Sequence, residues 1–490
     1  MCHPPRRSSH TLPRVYSPLR VDQLTLPPSD GKHDAGGDDQ DRVPGVVVVF
    51  SAGAPAAHVI PLTDPIELGR GSDGGNGGKL DDGRVSRRHA RLAFDGRRCV
   101  VTDLGSQNGT FVDGSPAAPN APTHAQRLIR VGDSLLIPCA DVRPFEAGVS
   151  SVDGFVRGPA MQALLAEAAR HARTGTTLHI RGETGTGKEG VAQAFHRAGA
   201  RATRPLIAVN CSAIPQAIAE RLLFGVKRGA YSGAEADAPG YIQEAEGGTL
   251  FLDEIADLDL QTQAKLLRVL ESRELLPLGA SKPRRVDFAL CSATHKDLRS
   301  LVAAGTLRED LYFRVGRPAV QLPPLRNRPE EIPALIAGEL ARLSPAPTAH
   351  VSLVEQCLLR PWPGNVRELI TELRNAAQAA LIDGTRVDAR HLPATAGTVF
   401  GSAMPEARPA PPADLTPPAT PSPDNARRRA PRDDAEWRQR IEETLRAHAG
   451  NVAATARALG LHRTQLRRLL ERHGIATSPA GGPDDDDSAE

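Results

Sequence analysis

The segment Gly182-Glu-Thr-Gly-Thr-Gly-Lys188 constrains this chain more than any other stretch. It follows an apolar, β-prone run, Leu178–Arg181, and precedes a helical pattern that begins near Glu189. A Gly-rich turn between strand and helix frees successive backbone N–H groups to ring a polyphosphate, and the helix dipole adds to their field. Gly182, Glu183, Thr184, Gly185, Thr186 and Gly187 form that cradle, and Lys188 is placed to reach the β- and γ-phosphates. Glu189 stands where the general pattern has Ser or Thr, so the usual Mg²⁺ hydroxyl is missing. The alternative is an ordinary turn in a chain with 45 glycines, and the flanking strand and helix argue against it.

A second strand supplies the hydrolytic chemistry. Thr249-Leu-Phe-Leu-Asp-Glu254 is an apolar run that ends in two carboxylates. Asp253 is suited to hold Mg²⁺, and Glu254 to polarise an attacking water. By itself such a pair is more often a strand-end turn; behind a phosphate loop it makes a site for ATP hydrolysis.

A chain of 490 residues has room for about three domains. Residues 1–45 mix Pro, Gly, Ser and charge without periodicity and read as a disordered arm. Between 46 and 145, short β-prone runs (Val46–Phe50, Ile66–Leu68, Ala90–Phe94, Cys99–Val101, Thr110–Val112, Ser134–Ile137) alternate with turns, predicting a β-sandwich. Over 152–322, helical stretches alternate with the strands Leu178–Arg181, Leu206–Val209, Thr249–Leu252 and Val286–Ser292, predicting an α/β parallel sheet. Residues 323–395 read as helices only, 396–434 as an extended Pro/Ala-rich linker, 435–476 as a helical block and 477–490 as an acidic tail. The fold class is thus multidomain: β-sandwich, then α/β with a helical lid, then all-α.

The longest purely apolar run, Val46–Phe50, is far short of the roughly 20 residues of a membrane span. The first 30 residues hold no apolar core of a secretory signal. Cys2, Cys99, Cys139, Cys211, Cys291 and Cys357 form no Cys-x-x-Cys pair, which argues against a disulfide framework or structural zinc and suits a reducing cytoplasm. With 60 basic and 58 acidic residues the net charge of +2 hides local asymmetry, so nucleic-acid binding is judged segment by segment.

Residues 152–392 resemble the AAA+ domain of the bacterial enhancer-binding proteins, the activators of sigma-54 RNA polymerase. That family carries its own loop form with Glu at the position of Glu189. The resemblance implies a contact with sigma-54 through Gly229, Ala230, Tyr231, Ser232, Gly233 and Ala234, where Tyr231 and Ser232 replace the family's Phe and Thr. It also implies that Asn210 pairs with the catalytic Glu254, and that Thr294 and His295 form the first sensor. Arg308 and Arg314 would act in trans on a neighbour's nucleotide in a hexamer, and Arg367 of Trp362-Pro-Gly-Asn-Val-Arg-Glu-Leu369 would be the second sensor. Alone, Arg308 and Arg314 read better as surface charges paired with Glu309 and Asp310; joint occurrence in one order favours the finger role.

The sandwich carries Gly69-Arg70, Ser86-Arg-Arg-His89 and Ser106-Gln-Asn-Gly109, and it resembles the forkhead-associated (FHA) domain. The resemblance implies phosphothreonine binding: Arg70 and Ser86 on the phosphate, Arg87 assisting, Asn108 on the peptide backbone, and His89 bracing the loops. The C-terminal block reads as a helix-turn-helix with a lead helix Ala435–Ala447, and it resembles the Fis-type domain. Arg463, Thr464, Gln465, Arg467 and Arg468 on its last helix suit double-stranded DNA, with a dimerising helical pair as the alternative.

Together these features predict a cytoplasmic, ATP- and Mg²⁺-dependent transcription activator. It would bind upstream DNA, remodel sigma-54 polymerase and respond to a phosphothreonine protein made by a Ser/Thr kinase. Two other readings are an AAA+ DNA-binding regulator that no longer engages sigma-54, and a phosphopeptide-binding scaffold with a vestigial ATPase.

Overall fold

The computed structural model describes residues 42–70, 78–175, 177–231, 235–384, 386–399 and 434–447, with Val452, Thr455, Leu466 and Leu470. The chain forms two compact units, Met1–Pro405 and Glu406–Glu490. In the first, β1 (Gly45–Ser51), β2 (Ala54–Pro61), β3 (Ile66–Leu68), β4 (Ala90–Phe94), β5 (Cys99–Asp103), β6 (Thr110–Val112), β7 (Ser115–Pro116), β8 (Pro122–Ala125), β9 (Ile129–Val131) and β10 (Ser134–Cys139) build two sheets. Their orders are β2-β1-β10-β9-β6-β7 and β3-β4-β5-β8, as a sandwich requires.

A hairpin of β11 (Ser150–Val152) and β12 (Phe155–Arg157) leads into α1 (Pro159–Thr174), β13 (Thr177–Arg181), α2 (Lys188–Ala198), β14 (Leu206–Asn210), α3 (Gln216–Phe224) and α4 (Tyr241–Glu244). Then come β15 (Thr249–Asp253), α5 (Leu260–Ser272), the pair β16 (Glu274–Leu275) and β17 (Arg284–Arg285), β18 (Ala289–Thr294), α6 (Leu298–Ala303), α7 (Glu309–Val315) and β19 (Ala319–Gln321). The five-stranded sheet runs β14-β15-β18-β13-β19, all parallel. Its inner strands β13, β15 and β18 are buried on both faces over most of their length, as near-continuous apolar runs such as Thr249–Leu252 dictate, while the edge strands β14 and β19 are partly exposed. Because all strands point the same way, Arg181, Asp253 and Thr294 end on one edge of the sheet, the edge at which open parallel sheets bind their ligands.

The lid follows: α8 (Ile332–Leu340), β20 (Thr348–Ala349), α9 (Val351–Leu359), α10 (Asn365–Asp383) and β21 (Arg386–Val387). It was expected to be helical only; a two-residue parallel pair, β20 with β21, ties its ends together. The strand expected over Val286–Ser292 instead runs from Ala289 to Thr294. Trp362, fully buried, centres the lid core and donates from Nε1 to Cys357 O at 2.7 Å.

The sandwich and the lid share one core. Along β1, Val46 and Val48 face the interior of the sandwich, while Val47 and Val49 pack with Leu135 and Ile137 of β10 in the cluster that holds Ile336, Leu353, Val354 and Leu369. At the seam Arg130 Nε lies 3.0 Å from Glu355 Oε2, the two side chains 21% and 10% exposed. The Arg130 guanidinium also stacks on Phe111, 3.7 Å from the ring centroid.

In the second unit α11 (Asp434–Ala447) matches the expected lead helix and buries Ile441 and Leu445. Arg463, Thr464, Gln465, Arg467 and Arg468 lie outside the described residues, as do Ser232, Gly233 and Ala234 of the loop. No helix among the described residues is long and apolar enough to cross a membrane.

Candidate functional site

The phosphate loop joins β13 to α2. Gly185 (φ 77°) and Gly187 (φ 102°) take left-handed backbone that a side chain resists. A Cβ on Gly185 would come within 2.2 Å of Gly364 O. Lys188, the first residue of α2, is buried and donates to Gly182 O at 3.2 Å and to Glu254 Oε1 at 2.9 Å. Glu189 is exposed in the first turn of α2, where its charge favours the helix dipole.

Asp253 ends β15, and Glu254 follows in the left-handed region at φ 51°, strained for a non-glycine residue. The strain aims its carboxylate back over the loop. Glu254 Oε2 accepts from Thr294 Oγ1 at 3.0 Å, from the His295 amide at 3.2 Å and pairs with His295 Nδ1 at 2.9 Å. Burial raises the Glu254 pKa, but Lys188 and His295 outweigh it and hold the carboxyl below its ordinary value. Asp253 shifts the other way: burial pushes it up and exceeds the opposing pull of Lys188. A desolvated carboxylate oxygen beside a phosphate loop is a donor that fits a hard divalent cation.

The structure therefore brings Lys188, Asp253, Glu254, Thr294 and His295 together. Asn210 is elsewhere engaged: its Oδ1 accepts from the Ser212 amide at 3.0 Å and from Ser212 Oγ at 2.7 Å, capping the turn after β14 instead of reaching Glu254. Arg367 is exposed on α10, where its charge helps hold Asp253 ionised. Arg308 forms a two-pronged pair with Asp310 at 3.0 and 2.7 Å, and its backbone is fixed by Gln263 Oε1 at 3.0 Å. Arg314 and Phe313 are exposed on α7.

Sequence reading did not single out Arg326 and Asn365, which join the loop to the lid. Glu183 receives Arg326 at 2.7 and 2.9 Å and Asn365 Nδ2 at 3.1 Å. Asn365 sits at φ 55°, a conformation asparagine tolerates, and its Oδ1 accepts from the Leu325 amide at 2.7 Å. The Gly-Asn step at the entry of α10 was the available signal.

The loop Lys227–Tyr231 rises from an anchored stem. Val226 bridges Ala238 and Leu278, Lys227 donates its amide to Leu278 O at 2.9 Å, and Asp237 holds the Arg228 amide at 2.8 Å. Gly229 turns at φ 81°, and Tyr231, 42% exposed, lines a cavity of about 500 Å³ with Ile218, Arg221 and Thr262.

In the sandwich, the ends of the loops meet around Ser86. Arg70 is exposed and donates from Nη1 to Gly83 O at 3.1 Å, while Ser86 Oγ accepts the Gln107 amide at 3.1 Å. Asn108 Nδ2 donates to Arg84 O at 2.6 Å, and Arg87 is exposed beside them. His89, fully buried, joins the Ser86 amide (3.0 Å) to Gly109 O (3.2 Å), so it braces both loops. Burial lowers its pKa, which keeps the ring neutral and able to accept at Nδ1. Asp103 gathers Ser106 and Thr110 hydroxyls at 2.6 Å each, and Asp82, whose role the sequence did not signal, accepts the Asp133 amide at 2.7 Å.

Comparison with known proteins follows the same order. The Sigma-54 interaction domain matches residues 155–321, the FHA domain 66–137 and the bacterial regulatory protein, Fis family, 438–473. The anaerobic nitric oxide reductase transcription regulator NorR of Aeromonas hydrophila is 39% identical over 401 residues, covering 78% of this chain and 75% of its own. The transcriptional regulatory protein GlrR of Escherichia coli K12 is 36% identical over 346 residues, 69% and 70% of the two chains. The crystal structure of NtrX from Brucella abortus with ATP aligns over 64% of this chain and 68% of its own, at 29% identity and a TM-score of 0.47.

Proposed function

The chain belongs to the sigma-54-dependent transcription regulators, and from that premise we propose that it drives promoter opening by ATP hydrolysis under control of a phosphothreonine ligand. The observation that carries the reading is the convergence of Lys188 and Glu254 at the sheet edge, with Thr294 and His295 holding the far carboxylate oxygen.

Lys188 serves two partners in turn. Without nucleotide its ammonium neutralises Glu254 Oε1; with ATP it moves to the β/γ-phosphates, where its charge is better used. Glu254 Oε1 is then released to accept a hydrogen bond from the attacking water. Oε2 stays fixed by Thr294 and His295, so the water is oriented as well as polarised. Asp253 would hold Mg²⁺, which when bound neutralises charge on the phosphates. Arg308 would leave Asp310 and, with Arg314, reach a neighbouring subunit's nucleotide, in a hexamer as in the family.

Gly229, Ala230 and Tyr231, with Ser232, Gly233 and Ala234, would engage sigma-54. The anchored stem would transmit movement of α3 and α5 to that tip. Arg463, Thr464, Gln465, Arg467 and Arg468 would hold upstream DNA. Arg70 and Ser86, assisted by Arg87, would take the phosphate of a phosphothreonine protein made by a Ser/Thr kinase, and Asn108 its peptide backbone.

The deciding experiment pairs Glu254→Gln with isomerisation of a sigma-54–promoter complex. Glu254→Gln should bind ATP, lose hydrolysis and lose isomerisation together. Isomerisation without turnover would overturn the engine; turnover in the parent chain without isomerisation would favour a regulator that has lost sigma-54.

A further inference from the structure

Three successive carbonyls of the phosphate loop are held by donors from the lid. Thr184 O accepts Asn365 Nδ2 at 3.1 Å, Gly185 O accepts the Val366 amide at 3.0 Å, and Thr186 O accepts Arg328 Nη2 at 2.6 Å. In a trans peptide the carbonyl and the following N–H point to opposite sides. Fixing those oxygens toward the lid therefore turns the amides of Gly185, Thr186 and Gly187 the other way. The Thr186 amide keeps a long 3.4 Å contact with Glu183 O, so Gly185 and Gly187 supply the outward donors. Such alternation is what lets a loop ring an anion.

Arg328 is built for this contact. Its residue is 1% exposed, and Nη1 donates to Glu331 Oε2 at 2.8 Å. Glu331 Oε1 in turn accepts the Gly158 amide at 2.8 Å, at the start of α1. The guanidinium is thus oriented by one carboxylate, and its Nε is left without a partner. A buried arginine with an orphaned N–H is a poor way to fill space, since apolar side chains of similar volume do so at lower cost. Besides pairing with Glu331, the guanidinium supplies what no apolar side chain could, a donor to Thr186 O.

We propose that Arg328 and Asn365 are positioning residues for the ATP phosphates: they set the facing of the phosphate-loop amides, and they place that control in the lid. Lid orientation and phosphate affinity are then one variable.

The test uses the full chain with ATP and ADP as probes. Arg328→Met should raise the Kd of both nucleotides about tenfold, with KM rising in step and kcat falling less. Arg328→Lys restores a single donor and should recover much of the loss. Asn365→Ala, one peptide away, should weaken both nucleotides about three- to tenfold. If Arg328→Met fails to fold, the other two variants carry the test. Folded variants that bind ATP within about twofold of the parent would overturn the proposal. So would variants that lose kcat and thermal stability with KM unchanged, the mark of a merely structural role.

Discussion

Arg130 and Glu355 meet across the seam between sandwich and lid, and a double-mutant cycle on that pair measures whether the seam exists in solution. The carboxylate is nearly buried and 3.0 Å from the guanidinium, so each single Met replacement strands a partly desolvated charge. Breaking a buried pair costs about 3–5 kcal/mol; with Arg130 still 21% exposed, about 2–3 kcal/mol per single variant is the better figure. Phe111 continues to hold Arg130 in Glu355→Met, which moderates that variant further. Burial already pushes the Glu355 carboxyl above its ordinary pKa, so replacing both partners by Met returns most of the loss. The double variant should then sit within about 1 kcal/mol of the parent, giving a coupling of about 3–5 kcal/mol. The assay is urea unfolding of the full chain, followed through Trp362, which is buried in the lid core. A coupling below about 0.3 kcal/mol would refute the shared core, because residues that do not touch behave additively.

Further tests address the site and its input. Mixing Arg314→Ala subunits with Lys188→Ala subunits should restore part of the ATPase activity, since one interface regains both halves; co-assembly without recovery would remove action in trans. Arg70→Ala should lower the affinity for a phosphothreonine peptide about ten- to a hundredfold by calorimetry, and equal affinity for phosphorylated and plain peptides would exclude the phosphate role. Burial, aided by the charge of Glu331 and opposed by Arg328, pushes the Glu330 pKa up to about 8. A raised carboxyl stabilises the fold below its unfolded pKa and loses that contribution as pH rises through the folded one. The thermal midpoint should therefore fall between about pH 5 and 8, and Glu330→Gln should flatten the slope; parallel curves would refute it.

Much of this was legible in the sequence because it is local. Ile66–Leu68, Ala90–Phe94 and Thr110–Val112 form strands with the limits their β-prone residues and turns indicate. The meeting of Lys188 and Glu254 was legible for a related reason: strand-end motifs of a parallel sheet converge on one edge. β2 was not, because Ala54-Pro-Ala-Ala-His-Val-Ile-Pro61 carries two prolines and little β-branched character, and most of it is exposed. Asn210 was placed by analogy, but its Oδ1 finds Ser212 two residues away, a local competitor no motif reveals. Arg328 reaches Thr186 across 142 residues, beyond any pattern read along the chain.

The seam had a signal that composition obscured. A sandwich strand with one solvated face alternates, whereas Val46-Val-Val-Val-Phe50 is apolar without a break. Continuity there means that a second layer must cover the outer face, and the lid helices provide it. The consequence reaches the chemistry. The lid packs on the sandwich through Val47, Val49, Leu135 and Ile137, and it holds the phosphate loop through Asn365, Val366 and Arg328. A ligand that alters the Ser106–Gly109 loop acts one residue before β6, whose Phe111 carries Arg130 and so Glu355 on α9. Because close-packed cores shift between discrete arrangements more readily than they deform, a change at that loop would reach the ATP site as a reorientation of the lid. Severing the pair by Glu355→Met should therefore reduce any effect of phosphothreonine peptide on KM for ATP, while leaving peptide affinity unchanged. A peptide effect on KM that survives in full would place the coupling elsewhere.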